Sequence, residues 1–477
     1  MAPTKTLTAT VQEGYADPDS LRTAFTLAMS AMYKSEVPLY GTLVSIVSGV
    51  NQATLQSNLD PKVLSMRYGD ATGASSRIDM ERHGAIRLGT PHELRTIRRI
   101  FRIIGLHPVG YYDLAPAGLP MHATCFRPTT KEALRKNPFR VFTSVLRPEL
   151  IRDADAKSLA MQLLCRRNIF TPQLIGLLDK ADTQNGRLTL SQGDAFVSAA
   201  MDTFKWHATA AASHQAYTCL KAEHPILADV ACFRSAHINH LTPRTLDIAA
   251  AQDAMETKGL AVKERIEGPP PRKCPILLRQ TSFLAIEEPI NFRTTEAAQM
   301  VQGSHRARFG EIEERGAAVT PAGRRLYDAL LSEAMDAAKL GGSVSADVLD
   351  GQVAAAFAKF PDAWEEMRRR DLAYFSYRVG EQQRPLSGGV YSLDELLAEG
   401  VVEAVPITYE DFLPLSAAGI FQSNLGKKAG RELDAQPDVD GFEAALGEAL
   451  CDADDLYRGL RDDSLGECAR QLGVTIV

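Results

Sequence analysis

The stretch Arg308-Phe309-Gly310-Glu311-Ile312-Glu313-Glu314-Arg315-Gly316 decides the reading of this chain. Read as a strand, it places Phe309, Glu311 and Glu313 on one face and Gly310, Ile312 and Glu314 on the other. An acid flanked by apolar residues needs a partner, because burying an isolated carboxylate is costly. A metal ion is one such partner. Two further segments, Arg82-His83-Gly84-Ala85-Ile86-Arg87 and His237-Ile238-Asn239-His240-Leu241-Thr242, offer imidazoles. Two His and one carboxylate leave coordination positions open, which is the donor set of non-haem Fe(II) sites. Alternation alone does not choose between Glu311 and Glu313. Glu311 lies deeper, between Phe309 and Ile312, whereas Glu313-Glu314-Arg315 reads as an exposed charge cluster that ends the strand.

Working outward, strand-like and helical patterns recur in one order. Met80 to Leu88 reads as a strand, and Thr90-Pro91-His92-Glu93 has the form of a capping box with Pro at the first helical position. A helix to Ile104 stops at Gly105, and strands follow over His107 to Leu114, Leu119 to Arg127 and Phe139 to Leu146. The order is βαβββ. It returns after a helical stretch from Ala154 to about His224: a strand over Ser235 to Pro243, a helix from Thr245 to Lys258, and strands over Leu260 to Ile266, Ile276 to Ile286 and His305 to Arg315. The expected fold is therefore α+β, with two βαβββ modules forming a cupped central sheet among inserted and terminal helices. The divisions are 1–76 for an N-terminal helical scaffold, 77–150 for the first module, 151–230 for the helical insertion, 231–318 for the second module and 319–477 for a C-terminal helical region. Within the last, helices are expected over Pro321 to Leu340 and Ser345 to Phe375. The run from Pro406 to Phe421 reads as a close-packed loop that touches a ligand.

Composition narrows the class. The chain has 477 residues, 45% apolar and 23% charged, enough for a substantial core. Its net charge of -6, with both signs interspersed, offers no basic stripe for nucleic acid. No apolar run approaches the ~20 residues of a membrane span and no signal core opens the sequence, so the expectation is a soluble, cytoplasmic protein without membrane partners. Seven scattered cysteines without a CxxC pair read as buried thiols. GxGxxG, P-loop, GxSxG and HExxH signatures are absent, which disfavours dinucleotide, nucleotide, serine-hydrolase and zincin chemistry.

His83, Ala85 and Arg87 share one strand face, with His83 and Arg87 ~13 Å apart at ~3.3 Å per residue. A metal holding one end of a small dicarboxylate and an Arg gripping the other suits that spacing, because a guanidinium binds a carboxylate through two hydrogen bonds. His237 and His240, three apart, face opposite ways on a strand. His240 is the preferred ligand, just ahead of the next helix, with His237 as the alternative. His207, beside Trp206, reads as a packed residue on a helix.

These segments together resemble a known family. Opening strands that each bear a His, with Glu on the last strand of the second module, resemble the vicinal oxygen chelate superfamily. Phe309 to Arg315 is similar to the Glu-bearing strand of 4-hydroxyphenylpyruvate dioxygenases, with Glu311 at the ligand position. The segments Glu81 to Arg87, Ile238 to Arg244 and Tyr409 to Phe421 resemble the 2-oxoadipate dioxygenase/decarboxylase (hydroxyglutarate synthase) family. The resemblance implies an Fe(II) enzyme of lysine catabolism that turns 2-oxoadipate and O2 into 2-hydroxyglutarate and CO2. It implies His83, His240 and Glu311 as metal ligands, with both His also against the substrate. Arg87 would hold a substrate carboxylate during catalysis, and Leu415 and Ser416 would contact the substrate. The alternatives are a metal-dependent isomerase or lyase on the same fold, and a binding protein without catalysis.

Overall fold

The computed structural model describes residues 14–57, 60–68, 81–293, 300–340, 345–381, 386, 388–413, 433 and 435–477. Three helices lead in: α1 (Pro18–Glu36), α2 (Pro38–Leu55) and α3 (Pro61–Tyr68). Asp17 caps α1 by accepting from Ser20 N, and proline opens each of the first two helices, where its missing N–H costs nothing.

The first module appears as expected. It runs β1 (Glu81–Leu88), α4 (Pro91–Ile103), β2 (His107–Asp113), β3 (Met121–Arg127), the short α5 (Lys131–Lys136) and β4 (Arg140–Leu146). The capping box at α4 is modified. Thr90 accepts from Glu93 N, but the Glu93 carboxylate reaches one residue further back, to Gly89 N at 2.7 Å.

The insertion comprises α6 (Ala154–Arg166), α7 (Pro172–Thr183), α8 (Leu190–Phe204), α9 (His214–Glu223) and α10 (Pro225–Ala231). His207 and Trp206 lie beyond the end of α8 and not on a helix. The second module is less regular. β5 is only His240–Pro243, and α11 (Ile248–Thr257) begins at its Asp247 cap. The strand expected over Leu260 to Ile266 is reduced to isolated bridges, Val262 with Phe283 and Glu267 with Gln280. Residues 262 to 267 thus oppose only 280 to 283, so the extra residues bow outward as a bulge.

Two expected long strands are each divided. Ile276 to Ile286 yields β6 (Leu278–Ser282), and His305 to Arg315 yields β9 (Phe309–Arg315). Between them, β7 (Glu287–Arg293) and β8 (Met300–Arg306) form a separate hairpin. The chain breaks at Arg308, whose guanidinium turns inward to grip Glu288 and Glu36.

The seven-stranded sheet has the order β2-β3-β4-β1-β5-β9-β6. β1 pairs parallel with β4 and antiparallel with β5, while β5 pairs parallel with β9, which pairs antiparallel with β6. Each half therefore repeats one pattern, with opening strand beside closing strand, and the halves meet at the β1–β5 seam. The result is an α+β fold around a curled half-barrel. One face buries Ile86, Leu88, Val141, Leu241 and Ile312 with residues of α1, α2 and α4. Gly310 is required there, because a Cβ would meet Phe283 and Leu43 at 2.4 and 2.7 Å.

The other face carries the polar side chains. The C-terminal region covers it: Tyr374, Phe375, Tyr409, Phe412 and Tyr457 join Ala85, Ala123, Phe142 and Leu278 in one cluster. The long helix expected from Ser345 to Phe375 is instead two shorter ones. After α12 (Pro321–Leu340) come α13 (Ala346–Phe357) and α14 (Trp364–Arg369), and the chain then enters β10 (Phe375–Val379). Pro361, between α13 and α14, cannot continue a helix. Four cysteines are buried, but Cys165 and Cys219 are exposed and Cys451 is intermediate. Among the described residues, no helix is long and apolar enough to cross a membrane.

Candidate metal centre

The β1–β5–β9 seam places the candidate donors on neighbouring strands. His83 is opposite Thr242, Ala85 is opposite His240, and His240 pairs with Phe309, two residues before Glu311 on the same face. His83, His240 and Glu311 are all buried, and donor atoms from the three lie within 4.8 Å of one another. His83 Nε2 is 2.9 Å from Glu311 Oε1, and His240 Nε2 is 4.0 Å from the same oxygen. Adjacent ligands of one ion, each at about 2.1 Å, stand about 3 Å apart, so the His83–Glu311 separation suits a shared cation.

The orientation of His83 strengthens that fit. Its Nδ1 lies 2.8 Å from Glu313 Oε2, and a carboxylate there accepts an N–H. Nε2 is then the ring atom left for a cation, 2.9 Å from Glu311 Oε1 and 3.0 Å from Thr242 Oγ1. Thr242 Oγ1 donates to Glu311 Oε1 at 3.3 Å, whereas Glu311 Oε2 is buried without a hydrogen-bond partner among the described residues. Burial above all, with the positive charges of Arg87 and Lys263 nearby, drives the His240 pKa well below its ordinary value. The ring is therefore the neutral form that a metal requires.

Glu313 corrects the reading of Glu313-Glu314-Arg315 as an exposed cluster: Glu313 and Arg315 are both fully buried. Arg315 donates to Glu313 through Nε and Nη2 at 2.7 and 2.8 Å. Burial pushes the Glu313 carboxyl up, but Arg315 and His83 hold it well below the usual range. Ionised Glu313 is thus free of any proton that would weaken its grip on His83, the arrangement by which an outer carboxylate fixes a ligating imidazole.

Arg315 also donates through Nη1 to the carbonyls of Tyr409 and Asp411. That loop is held on both acids. Glu410 is bound by Arg82 and Arg140, and Asp411 by Arg127 and the Tyr457 hydroxyl. Between these anchors Phe412 packs edge-on against His83 at 4.8 Å and against Phe142 at 5.1 Å. Leu415 and Ser416 lie outside the described residues.

Arg87 shares the His83 face of β1, and its Nη1 donates to Asp229 Oδ2 at 2.6 Å. His237, which precedes β5, is not bound by strand alternation and enters a second cluster with Asp229 and His305. It does not join His83 and Glu311. Sequence reasoning weighed Glu313 only as a rival of Glu311 or an exposed charge, and missed Arg315, Asp229 and the Glu410-Asp411 pair. Asp229 carried a usable signal: it is a lone acid in the apolar run Ile226-Leu227-Ala228-Asp229-Val230-Ala231.

The 2-oxoadipate dioxygenase/decarboxylase family model matches residues 25–424. The chain belongs to this family. It is 46% identical over 467 residues to the 2-oxoadipate dioxygenase/decarboxylase of Pseudomonas putida, covering 96% of this chain and 98% of that protein. The Escherichia coli protein of the same name is also 46% identical, over 94% of this chain and 98% of its own length. Among solved structures, hydroxyglutarate synthase from Pseudomonas putida in complex with 2-oxoadipate superposes with a TM-score of 0.85 at 44% identity, covering 97% of this chain and all (100%) of that one. The family's members are enzymes, so the polar half-barrel of this member is the natural place for its chemistry.

Proposed function

We propose that this protein is an Fe(II)-dependent, cytoplasmic enzyme of lysine catabolism that converts 2-oxoadipate and O2 into 2-hydroxyglutarate and CO2. The observation that carries the reading is the convergence of His83, His240 and Glu311 on the polar face, with Glu311 Oε2 buried and without a hydrogen-bond partner among the described residues. These three residues would hold the ion and leave positions for the 2-oxo-carboxylate end of the substrate and for O2. When bound, Fe(II) supplies the redox chemistry that lets O2 react with a 2-oxo acid.

The chain's own groups prepare that event. Glu313 keeps the proton on His83 Nδ1, so Nε2 remains a donor. Arg87 takes a substrate carboxylate, with Asp229 holding one end of its guanidinium. Phe412, Phe142 and Tyr112 form an aromatic wall that excludes water on the His83 side. In this reading Leu415 and Ser416 contact the substrate.

The test is an oxygen-electrode assay on anaerobically prepared, iron-loaded protein. The expected result is one O2 consumed and one CO2 released per 2-hydroxyglutarate formed. Turnover with Zn(II) or Ni(II) and no O2 uptake would assign an isomerase or lyase instead, and ligand binding without metal or turnover would assign a binding protein.

A further inference from the structure

The second buried cluster does not form part of the metal centre, yet it touches a residue assigned to the substrate. Asp229 sits on α10, the last helix of the insertion, and reaches across to β1. Both of its oxygens are engaged. Oδ2 accepts from Arg87 Nη1 at 2.6 Å, while Oδ1 lies 2.9 Å from His305 Nε2 and 3.1 Å from His237 Nε2. The two imidazoles are themselves confined. His237 stands edge-on to Trp206 at 4.8 Å, and His305 packs on Phe233 at 4.7 Å with its Nδ1 3.0 Å from the Tyr217 hydroxyl. Arg308 lies over the other ring system, 4.7 Å from Trp206, and is anchored on Glu288.

We propose that Asp229, hydrogen-bonded to His305 and packed beside His237, is the positioning residue for Arg87 and sets where its guanidinium meets the substrate carboxylate. A four-rotor side chain on a strand has many orientations, and each must be narrowed to one before a carboxylate can be gripped with two hydrogen bonds. Here the narrowing comes from α10. The helical insertion thereby acquires a role in substrate recognition beyond packing. The two-His-one-Asp composition also suits a metal ion, but the Asp229 oxygens are occupied and the Arg87 cation already neutralises the carboxylate. A second cation would have to displace it.

The proposal rests on Arg87 binding substrate, and the experiment separates the two. The dissociation constant of 2-oxoadipate is measured by anaerobic titration calorimetry on iron-loaded wild type, Asp229→Asn, Arg87→Ala and the double variant. Expected is about tenfold weaker binding for Asp229→Asn, with iron content unchanged, and no further loss when it is added to Arg87→Ala. An Asp229→Asn penalty that persists in the Arg87→Ala background would show a general structural role and overturn the proposal, as would unchanged binding in Asp229→Asn. Unchanged binding in Arg87→Ala would remove the substrate role of Arg87 itself. A second metal ion per wild-type chain, lost in Asp229→Asn, would also overturn it. Should Asp229→Asn not fold, His305→Gln disturbs the hydrogen bond to Asp229 Oδ1: a smaller weakening that vanishes without Arg87 is expected, and no weakening contradicts the proposal.

Discussion

Two clusters in this protein have nearly the same composition and different electrostatic partners. His83, His240 and Glu311 lie at the seam of the sheet; Asp229, His237 and His305 lie between the insertion and the hairpin. In the second cluster an arginine binds the central carboxylate directly, through the Arg87–Asp229 pair. In the first, the arginine is displaced by one carboxylate: Arg315 binds Glu313, and Glu313 binds His83. Glu311 is left with an oxygen that no group among the described residues satisfies. Burial and residue type do not separate the proposed metal centre from the proposed positioning network. The place of the arginine does.

The comparison breaks most visibly if the two histidines near β5 are exchanged in role. His240→Ala should lose iron and bring turnover to background, while His237→Ala should retain iron, as measured by metal analysis and oxygen uptake. Next in size is the cost of emptying the second cluster. Asp229→Ala leaves Arg87 buried without its short ion pair, so denaturant unfolding should show a loss of about 3–5 kcal/mol. A loss well under 1 kcal/mol would mean that the pair is not formed.

Glu313→Gln tests the outer carboxylate. It retains the shape and removes the charge that fixes His83, so iron affinity should fall about 10- to 100-fold without being abolished. Competition with a chelator reads this directly. Arg87→Ala should leave iron bound and raise the substrate requirement about 10- to 100-fold, the loss expected for hydrogen bonds to a charged group.

The smallest effect is on pH dependence. Burial pushes the Asp229 carboxyl up, but Arg87 and His237 overcome it and hold it well below the usual range. A carboxyl with a depressed folded-state value contributes stability that is fully present above the unfolded value of about 3.9 and is lost as pH falls through the lower folded value. The acid limb of the stability profile below about pH 4 should accordingly be shallower in Asp229→Asn than in wild type.

How much of this was legible depended on regularity. The first module could be read from β1 to β4 because its strands are unbroken seven- to eight-residue runs and its helix is capped at Thr90. The second module hid its register, because a hairpin separates β6 from β9 and the strand near Val262 bulges. Residue patterning brought His83 and Arg87 to one face and favoured His240, while the choice of Glu311 over Glu313 came from family resemblance. The structure gives that choice a physical meaning, since Glu313 is committed to Arg315. Asp229 stood out in sequence only as a lone acid in an apolar run; its role was illegible because its partners, Arg87, His237 and His305, come from three remote segments, and helix periodicity carries no information about contacts of that kind.

The most direct test of the central claim is iron stoichiometry in Glu311→Ala beside wild type, with both prepared anaerobically and analysed after removal of loosely bound metal. One Fe(II) per wild-type chain and essentially none in Glu311→Ala is the predicted result. Iron retained in Glu311→Ala at the wild-type level would contradict the assignment of the seam cluster as the metal centre.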